Sequence, residues 1–250
     1  MRRALLLGLL LSGCRKEATP AELLLSQVKQ ALADRDARLR SYHLVAVTKE
    51  GEAQATHAFF FRSPNQLRAV VAAPTPLEWS FDGTRLYQLQ SEAKTFSTFE
   101  LKLPPAKASI FLHSTFSPFV PEGFRAPLMP AKGVSATRVT HPMGPEAVEL
   151  KLSPGEGVTV TWVLRWPTAD FLERRTQAGA GTGELKVEAE HCDAALKLCV
   201  PRRAAQFVDG QRQVTTELTT LELNLELPAE AFTPAVPAGW TRETRQVVED

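Results

Sequence analysis

No sign of charge dominates this 250-residue chain: 29 Lys and Arg stand against 28 Asp and Glu, a formal net charge of +1. Nothing here resembles the basic field that gathers nucleic acid or the acidic excess of a disordered tail. Long apolar runs are missing as well. The run from Ala4 to Leu11 falls far short of the roughly 20 residues that a membrane-spanning helix needs. Cysteine is scarce, and the five histidines (His43, His57, His113, His141 and His191) are scattered with no nucleophile at telling spacing. A G-x-S-x-G elbow, an H-E-x-x-H pair, a phosphate loop and a dinucleotide fingerprint are all absent. No motif for catalysis, a resident metal or a cofactor is therefore in hand, and the histidines read as ordinary strand or loop residues. No internal repeat or linker divides the chain.

What is present begins at the N-terminus. Arg2 and Arg3 form a short positive region, Ala4 to Leu11 an apolar one, and Leu11-Ser12-Gly13-Cys14 places small residues directly before a cysteine. This is the grammar of an export signal. The last four residues resemble the lipobox of bacterial lipoproteins, an ordinary secretory signal with an incidental cysteine being the alternative. The resemblance implies cleavage before Cys14, so that residues 1–13 are signal and 14–18 a lipidated tether. It also implies a diacylglycerol and an N-acyl chain, palmitate among them, on Cys14. Several acyl chains anchor stably where one is marginal, at about 0.8 kcal/mol per buried methylene. Residue 15 is Arg rather than Asp, which favours the outer membrane over the inner, with the body in the periplasm or at the cell surface.

The other two cysteines, Cys192 and Cys199, form an even pair in a protein bound for an oxidising compartment and read as a disulfide. Closing so small a loop contributes on the order of 2–3 kcal/mol by the chain-entropy model. A zinc site with His191 is the alternative, although two further ligands are not in evidence.

Thr19-Pro20-Ala21-Glu22 carries the signals of a helix start: a capping hydroxyl, a proline at the first turn and a carboxylate three residues on. Leu24, Val28, Ala31, Leu32 and Leu39 follow at helical spacing, with Lys29, Arg35 and Arg38 off that stripe. One amphipathic helix over about 20–40 is expected. The period then becomes two. Strands are expected at 42–47, 56–62, 66–73, 77–81, 85–90 and 95–101, then at 148–152, 158–166, 171–177, 185–190, 197–208 and 214–227. A slip of the apolar phase between Leu218 and Leu221 implies a bulge. Between the two sets, Pro104 to Pro130 holds six prolines and little alternation. Such an insertion is either a functional cover or a crossing loop packed on the core. The fold class expected is mainly β: about eleven antiparallel strands in one curled sheet or half-open barrel, with one long N-terminal helix and a short helical or irregular lid. The domain spans 19–240, and 241–250 is expected to be loose.

Three stretches carry a family likeness. Phe59-Phe60-Phe61-Arg62-Ser63-Pro64-Asn65-Gln66-Leu67-Arg68, Asp82-Gly83-Thr84-Arg85-Leu86-Tyr87 and Leu227-Pro228-Ala229-Glu230-Ala231-Phe232 resemble the LolA/LolB-like periplasmic lipoprotein carriers. The resemblance implies a half-open barrel whose helical lid closes an apolar cavity for acyl chains. It departs at Ser63, where carriers of the LolA type have a lid-fastening arginine; Arg62 stands one place earlier and faces the other side of the strand.

The functional expectation is a membrane-anchored, monomeric envelope lipoprotein that binds lipid or lipoprotein acyl chains without catalysis. Its partners would be membrane lipid, through the anchor, and an acyl-chain or lipoprotein ligand. The cavity candidates are Phe59, Phe61, Trp79, Phe81, Ile110, Phe111, Phe116, Trp162 and Leu164, any of which could equally belong to a plain sheet core. The alternative function is an envelope scaffold or sensor with a filled core that binds protein.

Overall fold

A computed structural model describes residues 18–130 and 132–248; the expected signal and Cys14 lie outside the described residues. Helix α1 (Pro20–Arg38) precedes a meander of six strands: β1 (Ser41–Glu50), β2 (Ala53–Arg62), β3 (Gln66–Ala73), β4 (Leu77–Phe81), β5 (Leu86–Gln90) and β6 (Thr95–Lys102). Helix α2 (Pro105–Phe116) opens the crossing segment. A second meander follows: β7 (Val134–His141), β8 (Gly144–Gly155), β9 (Val158–Arg165), β10 (Asp170–Ala178), β11 (Gly181–Asp193), β12 (Leu198–Val208) and β13 (Gln211–Leu223). Strand β14 (Thr241–Val248) comes last.

The fourteen strands form one sheet in the order β14-β6-β5-β4-β3-β2-β1-β13-β12-β11-β10-β9-β8-β7. Every pairing is antiparallel except β14 with β6. A sheet of this width must coil, because the twist between neighbouring strands accumulates. The two meanders meet at β1 and β13, where Thr219 is skipped between the pairs Val45–Thr220 and Ala46–Leu218. That is the bulge implied by the apolar phase.

This topology dictates what the central insertion does. β6 lies one strand in from one edge of the sheet and β7 forms the other edge. The chain between them has to traverse the sheet, and it does so over the concave face, carrying α2. The long proline-rich stretch is thus the link that carries the chain from the first meander into the second.

Two apolar clusters occupy the concave face. From β13 across the first meander the register aligns Leu223, Tyr42, Phe61, Leu67, Phe81, Leu86 and Phe99 in one row. Leu112, Phe116 and Phe124 of the crossing segment pack onto this row. In the second meander Val148, Leu150, Leu152, Trp162, Leu164 and Phe171 pack under Val28 and Leu32 of α1. At about 25 cal/mol per Å² of apolar surface removed from water, these two clusters supply the main drive for folding.

Helix α1 starts as its sequence directs. Thr19 Oγ accepts from the Glu22 N–H at 3.3 Å, and Glu22 Oε2 accepts from the Thr19 N–H at 2.7 Å, a reciprocal capping box. One expectation fails here. Arg35, read as lying off the buried stripe, is 1% exposed. Its guanidinium ion-pairs with Asp170 at 3.5 Å and donates to the Cys199 carbonyl at 3.1 Å. Burial pulls the Arg35 pKa down, and Asp170 works against that pull.

The second correction concerns residues 241–250. Thr241–Val248 is not loose: it extends the sheet edge by parallel pairing with β6. The preceding chain crosses the convex face, where Ser80 Oγ donates to the Phe232 carbonyl at 2.7 Å and Arg68 to the Ala231 carbonyl at 3.0 Å. This strap, with Val236 and Trp240 packed on Tyr87, Leu89 and Phe96, delivers Thr241 beside Thr95. β7, unread in the sequence, is the other addition, and with β14 it brings the strand count to fourteen.

Candidate functional site

Beneath the crossing segment lies a cavity of about 740 Å³, within the range typical of small-molecule sites. Its walls come from both halves of the sheet and from the cover. Leu67, Phe81 and Leu101 line it from the first meander, Leu152, Val160 and Trp162 from the second, and Ala108, Leu112, Phe116, Val120 and Leu128 from above.

The cover is fastened at several points. His57 Nε2 donates to the Phe119 carbonyl at 3.0 Å. Asp36 of α1 accepts from the Ala126 N–H at 3.3 Å and ion-pairs with Arg125 at 3.6 Å. Arg174 of β10 ion-pairs with Glu122. Gly123 has φ +87°, and a Cβ there would stand 2.6 Å from Cβ of Phe171. Only glycine lets the cover turn this close to the sheet.

The nine sequence candidates separate into three groups. Phe81, Phe116 and Trp162 line the cavity. Phe59, Phe61 and Leu164 are buried in the packed layer of the sheet, at 0%, 2% and 2% exposure, with Trp79 and Phe111 partly buried against the same layer. Ile110 is 58% exposed on the outer face of α2. Its neighbours on the helix, Leu112 and Phe116, point inward because they lie on the other side of the 3.6-residue turn.

The sequence reading missed the polar members of the wall, among them Tyr42, His113, Glu122, Arg125 and Arg174. Tyr42 is fully buried, and its ring lies 5.0 Å from that of Phe124 in the cover. Its hydroxyl has no hydrogen-bond partner among the described residues, and burial raises its pKa. Arg174 interrupts an apolar row on the concave face, between Trp162 and Leu185. Its Nε is buried and also unpartnered among the described residues. Burial raises the carboxyl pKa of Glu122 and the nearby Arg174 lowers it; burial, then Arg125, lowers the imidazole pKa of His113. Register places Tyr42 and Arg174 in the wall, whereas His113, Glu122 and Arg125 reach it through the path of the crossing segment.

The disulfide between Cys192 and Cys199 is formed, joining directly paired residues of β11 and β12. His191 therefore has no thiolate partner in that pair. Among the described residues no group of three or more His, Cys, Asp and Glu stands ready to hold a metal ion, and no helix is long and apolar enough to cross a membrane. Arg62 projects from the face opposite Phe61, donating to the Leu227 carbonyl at 2.6 Å with its guanidinium over the Phe232 ring. It fastens the convex strap rather than the cover.

No protein-family profile matches the chain, and no curated protein matches it. Solved structures do. A DUF1329 family protein from Desulfovibrio piger superposes with a TM-score of 0.55 at 10% identity, covering 86% of this chain and 98% of that one. A LolA superfamily protein from Nitrosomonas europaea gives 0.48 at 10% identity, covering 83% and 97%. A Mycobacterium tuberculosis lipoprotein gives 0.33 at 11% identity, covering 83% and 98%. At such identities the first of these shows a shared fold and nothing about activity.

Proposed function

We propose that this protein is an envelope lipoprotein, anchored through Cys14 and favouring the outer membrane, that sequesters acyl chains in the cavity beneath its crossing segment. The observation that carries the reading is the cover itself. An obligatory crossing of the sheet could have been packed solid, yet it spans a cavity of about 740 Å³ walled mainly by apolar side chains. Acyl chains are the abundant envelope ligands that such a wall selects, because transfer from water is favourable in proportion to apolar area and needs no catalytic group. The lipobox at Leu11–Cys14 supports an envelope setting, as does the disulfide, which persists in oxidising compartments.

Native mass spectrometry of the body from Ala18 onward, purified gently from a bacterial periplasm, tests the proposal. Co-purified lipid or uptake of added fatty acid at one to one supports it. A clean apo mass that takes up neither fatty acid nor phospholipid contradicts it and favours a protein-binding scaffold.

A further inference from the structure

The cavity's size and its polar groups say more about the ligand than that it has an acyl chain. We infer that the ligand is a single-tailed amphiphile whose anionic head accepts hydrogen bonds, in the class of a fatty acid or a lysophospholipid, and not the triacylated cysteine of a lipoprotein. This inference rests on the acyl-chain reading above.

Size comes first. A cavity of about 740 Å³ lies within the range of sites that enclose one drug-sized ligand. One long chain with its head is a ligand of that size. The three chains of a triacylated cysteine are not.

Polarity comes second. Tyr42 is 0% exposed and lines the cavity, and its hydroxyl has no partner among the described residues. Arg174 also lines it, with a buried Nε likewise unpartnered. An arginine nitrogen can only donate, so the group that completes it is an acceptor. Leaving a buried donor unmade is costly. The charges point the same way. Arg125 and Arg174 are cationic wall residues, held by Asp36 and Glu122. Burial makes Glu122 easier to protonate, so it is the carboxylate more readily exchanged for that of a ligand. His113 lies near Arg125 and is biased toward its neutral form. Glu122, Arg125 and Arg174 thus bring charge to a wall that is otherwise mainly apolar, with Leu112, Phe116 and Phe81 among its members.

The test uses the full chain carrying Cys14→Ser, so that no anchor lipid enters the measurement. Palmitate, palmitoyl-lysophosphatidylglycerol, dipalmitoyl-phosphatidylglycerol and a triacylated cysteine peptide are titrated separately, below micelle-forming concentrations. The expected result is one-to-one binding of palmitate or the lysolipid, at least tenfold tighter than the other two; which of them binds more tightly identifies the source of the head. Tyr42→Phe, which keeps the ring packing, is expected to weaken that binding about tenfold while raising the thermal midpoint of the unliganded protein. If the triacylated peptide or the diacyl lipid binds tightest, the inference falls and the acyl-chain reading stands. If Tyr42→Phe stabilises the protein and leaves affinity unchanged, the assignment of the head falls. Binding of none of the four overturns both the inference and the reading it rests on.

Discussion

At the scale of single residues, the fold depends most visibly on charges placed where the sequence pattern expects none. Asp170, 1% exposed, takes the Cys199 N–H at 2.9 Å and the Thr168 hydroxyl at 2.6 Å while facing Arg35 and Arg165. It ties α1 to the second meander and to the disulfide hairpin. Removing one partner of a buried ion pair leaves the other uncompensated, so Asp170→Ala is expected to cost about 3–5 kcal/mol. The double change Asp170→Ala with Arg35→Met is expected to recover part of that loss, because no buried charge remains on α1. Urea midpoints of the wild type and the two variants check this; a double variant no more stable than Asp170→Ala would contradict it. None of this was legible from residue order. Arg35 sits between the apolar positions Leu32 and Leu39, and its burial follows from where Asp170 lands after a further 135 residues of chain. The same holds for Arg174 and Tyr42, whose significance is a matter of register. By contrast, the facing of Arg62 away from Phe61 followed directly from strand alternation.

At the scale of elements, local chemistry was more informative. Thr19 and Glu22 announced the start of α1, and the phase slip near Leu218 announced the bulge of β13. β7 and β14 went unread for a shared physical reason: both are edge strands. Val134–His141 and Thr241–Val248 are largely exposed, so they need no apolar alternation and carry the polar and charged residues that protect an edge. The cover, read as either a functional lid or a packed crossing, is a crossing by topology and encloses a cavity by packing.

Its fastening carries a pH signature. Burial lowers the His57 pKa, with its bond to the Phe119 carbonyl opposing, and burial followed by Arg125 lowers that of His113. A histidine whose folded pKa lies below its unfolded value of about 6.5 contributes stability that is complete above that pH and is lost as pH falls toward the folded value. Hydrogen-exchange protection of residues 104–126, taken relative to the intrinsic rate at each pH, is therefore expected to fall between about pH 7 and pH 5 in the wild type. The loss should be smaller in His57→Gln, while β2 and β3 stay protected in both. A uniform loss of protection across the sheet would show global acid unfolding instead.

At the scale of the whole molecule, the mainly β class, the curled sheet and the concave helix followed from periodicity and turn signals, since consecutive antiparallel strands without a second sheet have to coil and cover one face. The cavity could not be read that way. Phe59 and Phe81 belong to the same aromatic-rich meander, yet one is core and the other wall, and the difference lies in where the crossing segment passes above them. Filling the space should separate binding from folding. Ala108 lines the cavity from α2, and Ala108→Trp is expected to reduce fatty-acid uptake at least tenfold while the thermal midpoint holds or rises. Loss of both together would mean that the cavity is not the binding site.

The central claim is that an acyl chain lies between the crossing segment and the concave sheet. The most direct measurement is photo-crosslinking with a fatty acid bearing a diazirine near the end of its chain, followed by peptide mapping. The account predicts labels on Leu112 and Phe116 of α2 and on Leu152 to Trp162 of the facing sheet, lost when unlabelled palmitate competes. Competable labels confined to the convex face, around Tyr87, Phe96 and Trp240, would contradict it.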